Sequence, residues 1–176
     1  MFLNQQNQNT LFKFIYPLCF IAIATAIVLD SCKKESSTED KALYDEMNSI
    51  GNFKYYKNQG FARLSSSQSA HNAYFKVRFN TTAYAALTDS GRLPKGYVFP
   101  AGSVIVSELY DANPGYIKLY AVMKKTSNPN AVNGWVWAEF LYDGSTAYSI
   151  EKKGGECTSC HSSNARDQVR IFNQFP

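Results

Sequence analysis

The residues best suited to do chemistry lie near the end of the chain, in the segment Cys157-Thr-Ser-Cys160-His161. Covalent attachment of haem needs two thiols that reach the vinyl groups and a nitrogen ligand that reaches the iron. Residues three and four apart share one face of a helical turn, so Cys157, Cys160 and His161 can meet these demands together. The spacing therefore predicts one haem c, bonded to both cysteines, with His161 as an axial iron ligand.

Other chemistries compete for the same residues. A redox dithiol of the thioredoxin type needs a parallel βαβ context, and no such pattern is visible. A zinc site needs four ligands, and the chain has only one histidine besides His161, which is His71. A disulfide between Cys157 and Cys160 would suit a haem-free binding module, but it leaves His161 without a role. Haem attachment is the interpretation that uses the whole motif.

The first 31 residues have the pattern of an export signal, because a polar stretch precedes an apolar run that is short for a membrane span. Leu29 and Ser31 precede Cys32 as in a bacterial lipobox, although Asp30 departs from the usual residue there. We expect a cleaved signal over 1–31 and a lipid anchor on Cys32, with the body of the protein in the periplasm or cell envelope. An uncleaved signal anchor is the alternative.

Composition excludes several classes of protein. The formal net charge is +4 with both signs interspersed, so no nucleic-acid partner is predicted. Aromatic residues make up 15% of the chain, which is typical of a β-rich fold. Cys19 lies in the signal and Cys32 is reserved for lipid, so the mature domain keeps only Cys157 and Cys160. That domain is not a disulfide scaffold.

The elements that must position the motif are mostly strands. Alternating hydrophobicity predicts strands at 73–80, 103–111, 116–125 and 135–144. The last of these should carry Trp135, Trp137 and Glu139 on one face. Short helices are expected at 39–50, within a polar tether of residues 32–50, and at 81–91. The fold class is therefore α+β, mainly antiparallel sheet with a few short helices, and the motif lies on a C-terminal helical segment.

The position of the motif bears on the iron's second axial ligand. The segment after His161 contains no Met or His, so that ligand would have to be His71 or Met123. We expect His71 in a solvated loop and Met123 in the core. An open, five-coordinate iron that binds small ligands or relays electrons to a redox partner is therefore predicted. A six-coordinate electron carrier is the alternative.

From His71 onward the chain resembles the cytochrome P-460 family, which also contains the β-sheet cytochromes c-prime. The matching stretches follow the family's order: AHNAYFKVRFNTTAY, FPAGSVIVSELY, GYIKLYAVMKK, NGWVWAEFLYD, CTSCH and ARDQV. The resemblance implies a haem domain over residues 51–176, a pocket walled by antiparallel sheet, and His161 as the proximal ligand. It also implies ligands such as nitric oxide, carbon monoxide or hydroxylamine, and a homodimer as a candidate assembly.

The chain departs from the family's hydroxylamine-oxidising members at one position. Those members have a Lys after the Phe-Pro-x-Gly stretch that forms an extra bond to the porphyrin, and Ser107 stands at that place. Because a hydroxyl cannot supply the same nucleophilic amine, oxidation of hydroxylamine or nitric oxide is the weaker alternative. The distal carboxylate of those enzymes falls near Tyr120, which would either donate a hydrogen bond to a bound ligand or pack in the sheet.

Overall fold

The computed structural model describes residues 36–49, 51–59, 62–63, 71, 74–111, 115–162 and 165–173. All of them belong to one compact unit, Ser36–Pro176. The predicted signal over 1–31 and the predicted lipid anchor Cys32 lie outside the described residues. No helix within the described part is both long and apolar enough to span a bilayer.

An antiparallel sheet of seven strands forms the frame of the described part. The strands are β1 Phe53–Tyr55, β2 Ala62–Arg63, β3 Tyr74–Asn80, β4 Val104–Tyr110, β5 Ile117–Lys125, β6 Trp135–Leu141 and β7 Thr146–Tyr148. Their order in space is β1-β3-β4-β5-β6-β7, and β2 also pairs with β3. The predicted α+β class with mainly antiparallel sheet is confirmed.

Strands β4 and β6, the neighbours of β5 on either side, are buried along most of their length, as expected when both faces of a sheet are covered. We call one side the motif face; it carries Phe75, Val77, Phe79, Ile105, Met123, Trp135 and Trp137. We call the other the helix face; it carries Val104, Val106, Val122, Val136, Ala138 and Phe140. Alternation of side chains along each strand produces this division.

Short helices flank the sheet, and three α-helices fall in the described part: α1 Thr38–Met47, α2 Thr81–Ala85 and α3 Thr158–His161. Ser37 caps α1 by accepting a hydrogen bond from the Asp40 backbone N–H at 3.0 Å. Leu43 and Met47 of α1 pack on the helix face. The predicted extension of α2 to residue 91 is wrong, because Asp89 and Arg92 exchange two backbone hydrogen bonds in a tight turn.

Candidate haem-binding site

The motif occupies α3 and the turn before it. The Gly154 carbonyl accepts hydrogen bonds from the backbone N–H groups of Cys157 at 2.9 Å and Thr158 at 3.0 Å. The Cys157 carbonyl then accepts one from His161 N–H at 3.1 Å. These bonds wind Cys157, Cys160 and His161 into one turn. Cys157 is half-buried against the motif face, whereas Cys160 is exposed, so the turn runs from the protein interior to its surface.

The imidazole of His161 is fixed by two neighbours. Its Nδ1 lies 2.7 Å from the carbonyl oxygen of Gln168, and the Trp137 ring lies edge-on with centroids 4.8 Å apart. A carbonyl can only accept, so Nδ1 carries the proton and Nε2 keeps its lone pair for a metal. Burial lowers the pKa of His161, although the bond to Gln168 opposes this. The ring is therefore neutral at neutral pH, as an iron ligand must be.

The Gln168 carbonyl is held by a turn anchored through Asp167. Asp167 and Gln168 have φ of 49° and 70°, the left-handed region that non-glycine residues rarely adopt. The Asp167 carboxylate accepts hydrogen bonds from Phe99 N–H at 2.7 Å, Lys125 Nζ at 2.7 Å and Trp135 Nε1 at 3.3 Å. One carboxylate thus ties the turn to three separate parts of the fold. Sequence reasoning used ARDQV only for its order and missed this anchoring role.

We expect Asp167→Asn to lower the free energy of unfolding by about 1–3 kcal/mol. The amide keeps one acceptor oxygen, but Lys125, whose side chain is 14% exposed, loses its charged partner. Urea unfolding followed by circular dichroism measures the loss. As a control, Asp45→Asn removes an exposed ion pair with Lys41 and should cost less than about 1 kcal/mol. Equal losses for both variants would contradict the anchoring role.

Ser107 lies on the motif face, as its position in β4 requires. Register aligns it with Val77 on one side and Ala121 on the other, and Ala121 pairs in turn with Glu139. Paired residues on neighbouring antiparallel strands point to the same face. Ser107 and Glu139 therefore share the sheet surface that carries Trp137, the contact of His161.

Tyr120 lies on the helix face instead. It pairs with Glu108 and Phe140 and packs against the apolar cluster of that face. Since side chains alternate along β5, its neighbour Ala121 is the residue that faces the motif side. The structure therefore does not bring Tyr120 to His161, and the packing role is the one observed.

Glu108 and two tyrosines form a polar cluster on the helix face. Burial and the charge of Glu108 raise the pKa of Tyr55 to about 12, and the same causes raise the pKa of Tyr110. An unfolded tyrosine releases its proton near pH 10. Between these values the native state binds more protons than the unfolded state, so its stability must fall as pH rises.

We therefore expect the free energy of unfolding to decrease steadily from about pH 10 to pH 12. Urea unfolding at stepped pH gives the stability, and absorbance at 295 nm gives the tyrosinate fraction of the native protein. Tyr55→Phe should reduce the slope of the decrease. Full ionisation of Tyr55 in the native protein near pH 10 would refute the expected pKa elevation.

His71 lies close to His161, the histidine of the motif. Its ring centroid lies 6.5 Å from that of His161, with the ring planes at 85°. Its Nδ1 lies 4.0 Å from Oε1 of Glu139, and its side chain is 28% exposed. Burial, reinforced by His161, lowers the pKa of His71 to about 4. His71 lies in a turn, as expected, but its side chain is only partly solvated, because it lies beside Glu139 and His161. Met123 lies in the core, as predicted.

The residues present fit a haem. Within the described part, no three His, Cys, Asp or Glu side chains are grouped closely enough to hold a bare metal ion. A haem iron needs only one or two protein ligands, because the porphyrin supplies four. Trp137 Nε1 is buried without a hydrogen-bond partner among the described residues, and a buried donor of this kind calls for an acceptor. The porphyrin carboxylates are acceptors.

Comparison with curated proteins finds no match for this chain. A family model described as Cytochrome P460 matches residues 53–172. That range contains all seven strands of the sheet, the motif helix α3 and the Asp167 turn. The match confirms the resemblance carried by the quoted stretches, and the chain belongs to the cytochrome P460 family of haem proteins.

Proposed function

We propose that this chain is an extracytoplasmic c-type cytochrome with one haem bonded to Cys157 and Cys160 and with His161 as the proximal ligand. The observation that carries the proposal is the turn Cys157–His161, whose imidazole is oriented by the Gln168 carbonyl with Nε2 left for iron. Membership of a haem-protein family supports it. We also propose export by the signal over 1–31 and anchoring by a lipid on Cys32, on the strength of the lipobox-like pattern.

A bound haem supplies an iron that changes oxidation state and accepts small axial ligands. The chain contributes the positioning. Its two thiols hold the porphyrin edge, His161 supplies a neutral imidazole, and the buried motif face excludes water. Burial and the charge of Glu156 raise the pKa of Glu139, whose carboxyl lies beside His71.

Two activities follow from such a centre. Small ligands, with nitric oxide as the first candidate, would bind an iron whose distal side is accessible. Electron relay to a redox partner is the second candidate, and the observation that favours it is the proximity of His71 to His161. Hydroxylamine oxidation is not part of the proposal, because Ser107 offers a hydroxyl where the family's oxidising members carry an amine.

The test is expression of the full chain in a bacterium that matures cytochromes c. Intact mass after denaturation should show one haem increment, and the reduced pyridine complex should have the spectrum of two thioether bonds. Cys157→Ser should give a single-thioether spectrum or lose the haem, while Cys19→Ser, within the predicted signal, should leave attachment unchanged. A chain that acquires no haem under these conditions contradicts the proposal. Fatty-acid labelling that disappears in Cys32→Ser tests the anchor separately.

A further inference from the structure

We infer that the β6–β7 turn, residues 142–145, rests on the surface of the lipid bilayer together with Leu141; this depends on the lipid anchor at Cys32 proposed above. The side chains that make the contact are Leu141, which is 43% exposed, and Tyr142, which is 68% exposed. Tyrosine rings are enriched at the membrane–water interface, because one end of the side chain is apolar and the other is polar. The partner is therefore the interfacial region of the membrane.

The proposed anchor is close in sequence to the described fold. Cys32 lies four residues before Ser36, the first described residue, and four residues span at most about 14 Å. Ser36 is tied to the sheet, because its Oγ lies 2.8 Å from Oγ1 of Thr146. A buried hydrogen bond of 3.0 Å from the Ile150 N–H to Asp40 Oδ1 holds the first turn of α1 to the segment after β7. A lipid on Cys32 therefore keeps the bilayer surface near the start of β7.

The β6–β7 turn lies beside this point of attachment. Thr146 pairs with Phe140, so Leu141 and Tyr142 follow within two residues, or about 7 Å along the strand. The turn is closed, because the Leu141 N–H donates a hydrogen bond of 2.9 Å to the Ser145 carbonyl. A closed turn presents its exposed side chains with little further loss of chain entropy on binding.

A third exposed aromatic side chain extends the same surface. Because β5 and β6 are antiparallel, β5 begins at the end of the sheet where β6 stops. Tyr116, which directly precedes β5, is 71% exposed. Exposed charges of both signs flank these side chains, with Asp111 and Asp143 on one side of the balance and Lys118 on the other. We therefore expect an apolar contact that forms on uncharged phosphatidylcholine and needs no anionic lipid.

This contact would fix the orientation of the haem domain. A lipid tether alone lets the domain pivot, whereas a second attachment point restricts the rotation. With the Leu141 end of β6 at the bilayer, the Trp135 end points away from it. The motif face, where Trp137 contacts His161, then stands beside the membrane rather than against it. A small ligand or a redox partner would approach the motif from the side.

The experiment uses the full-length chain, haem-loaded and lipid-modified, in phosphatidylcholine vesicles. Tyr142→Trp places a fluorescent reporter in the turn and exchanges one exposed aromatic ring for another. Tyr97→Trp is the matched control, because Tyr97 is also 68% exposed but lies two residues before Phe99, which packs on Trp135 at the far end of β6. Emission of the natural chain is subtracted from both. Lipids brominated near the headgroup should quench the reporter in Tyr142→Trp by about half, since interfacial rings lie at headgroup level, and leave Tyr97→Trp unchanged.

The contrary outcomes separate this inference from the proposals on which it depends. Equal quenching in the two variants, or none in Tyr142→Trp when the protein floats with the vesicles, overturns the docking and leaves the anchor intact. Emission of Tyr142→Trp that shifts to the blue as the protein-to-lipid ratio rises, without quenching by bromine, assigns the turn to a second copy and also overturns it. A protein that neither floats with vesicles nor incorporates fatty acid contradicts the anchor, and the inference fails with it. Haem content by mass tests the c-type assignment independently.

Discussion

Replacing Glu108 by alanine is expected to lower the free energy of unfolding by about 3–5 kcal/mol. The Glu108 side chain is 5% exposed and accepts a hydrogen bond from Arg78 Nε at 2.8 Å. It also accepts from the hydroxyls of Tyr55 and Tyr110, each at 3.0 Å. Removing the carboxylate leaves a guanidinium that is 11% exposed without its counter-charge, and burying an uncompensated charge is costly.

Chemical denaturation of matched variants separates the causes of this loss. Glu108→Gln keeps the shape and one acceptor but not the charge, so its loss should be smaller than that of Glu108→Ala. The double variant Glu108→Leu with Arg78→Met removes both charges. Its free energy of unfolding should be closer to that of the natural chain than the value for Glu108→Ala, because apolar replacement of a whole buried pair is often neutral. Glu151→Ala changes an exposed residue and serves as a control. If Glu108→Ala loses no more free energy of unfolding than Glu151→Ala, the buried pair does not stabilise the sheet.

Gly154→Ala is the second large expected effect, with a loss of about 2–5 kcal/mol from a strained backbone and a steric overlap. Gly154 has φ of +60°, and a Cβ there would lie 2.3 Å from Cδ1 of Trp137. Either the indole or the turn must move. The Gly154 carbonyl also accepts the hydrogen bonds that start α3, so the displacement should reach Cys157 and lower the yield of the covalent haem proposed above.

Gly155→Ala provides the matched control for this effect. Its Cβ would have Lys152 O as nearest neighbour at 3.7 Å, which is ordinary contact. Melting temperature and the haem-to-protein ratio should therefore stay close to those of the natural chain in Gly155→Ala and fall in Gly154→Ala. If both quantities change equally in the two variants, the contact with Trp137 does not prevent a side chain at residue 154.

The alternation of apolar and polar residues predicted the long strands, because successive side chains of a strand point to opposite faces of the sheet. It also placed Trp135, Trp137 and Glu139 on one face, as the pairing of β6 shows. The three-residue strands β1 and β7 were missed, since strands so short form only when a neighbour supplies the pairing. The end of α2 was missed for a similar reason: a two-bond turn between Asp89 and Arg92 competes with the helix.

The candidate site was predictable only where its residues are adjacent in sequence. Cys157, Cys160 and His161 share one turn, so their spacing alone brings them together. Ser107 and Tyr120 could not be assigned to faces without the register of β4 against β5. His71 is distant in sequence from Glu139 and His161 but lies close to both in space. This proximity depends on the completed sheet rather than on any local sequence pattern.

The shortness of β1 and β7 affects how copies of this protein can associate. These two strands end the strand order and have three residues each. Such short strands present few unpaired backbone groups, and long exposed edges are what allow one sheet to extend into another. Within the described part, the main sheet is therefore poorly suited to grow by edge-to-edge strand addition at β1 or β7. Association of copies at these two edges would therefore use side-chain contacts rather than added strands.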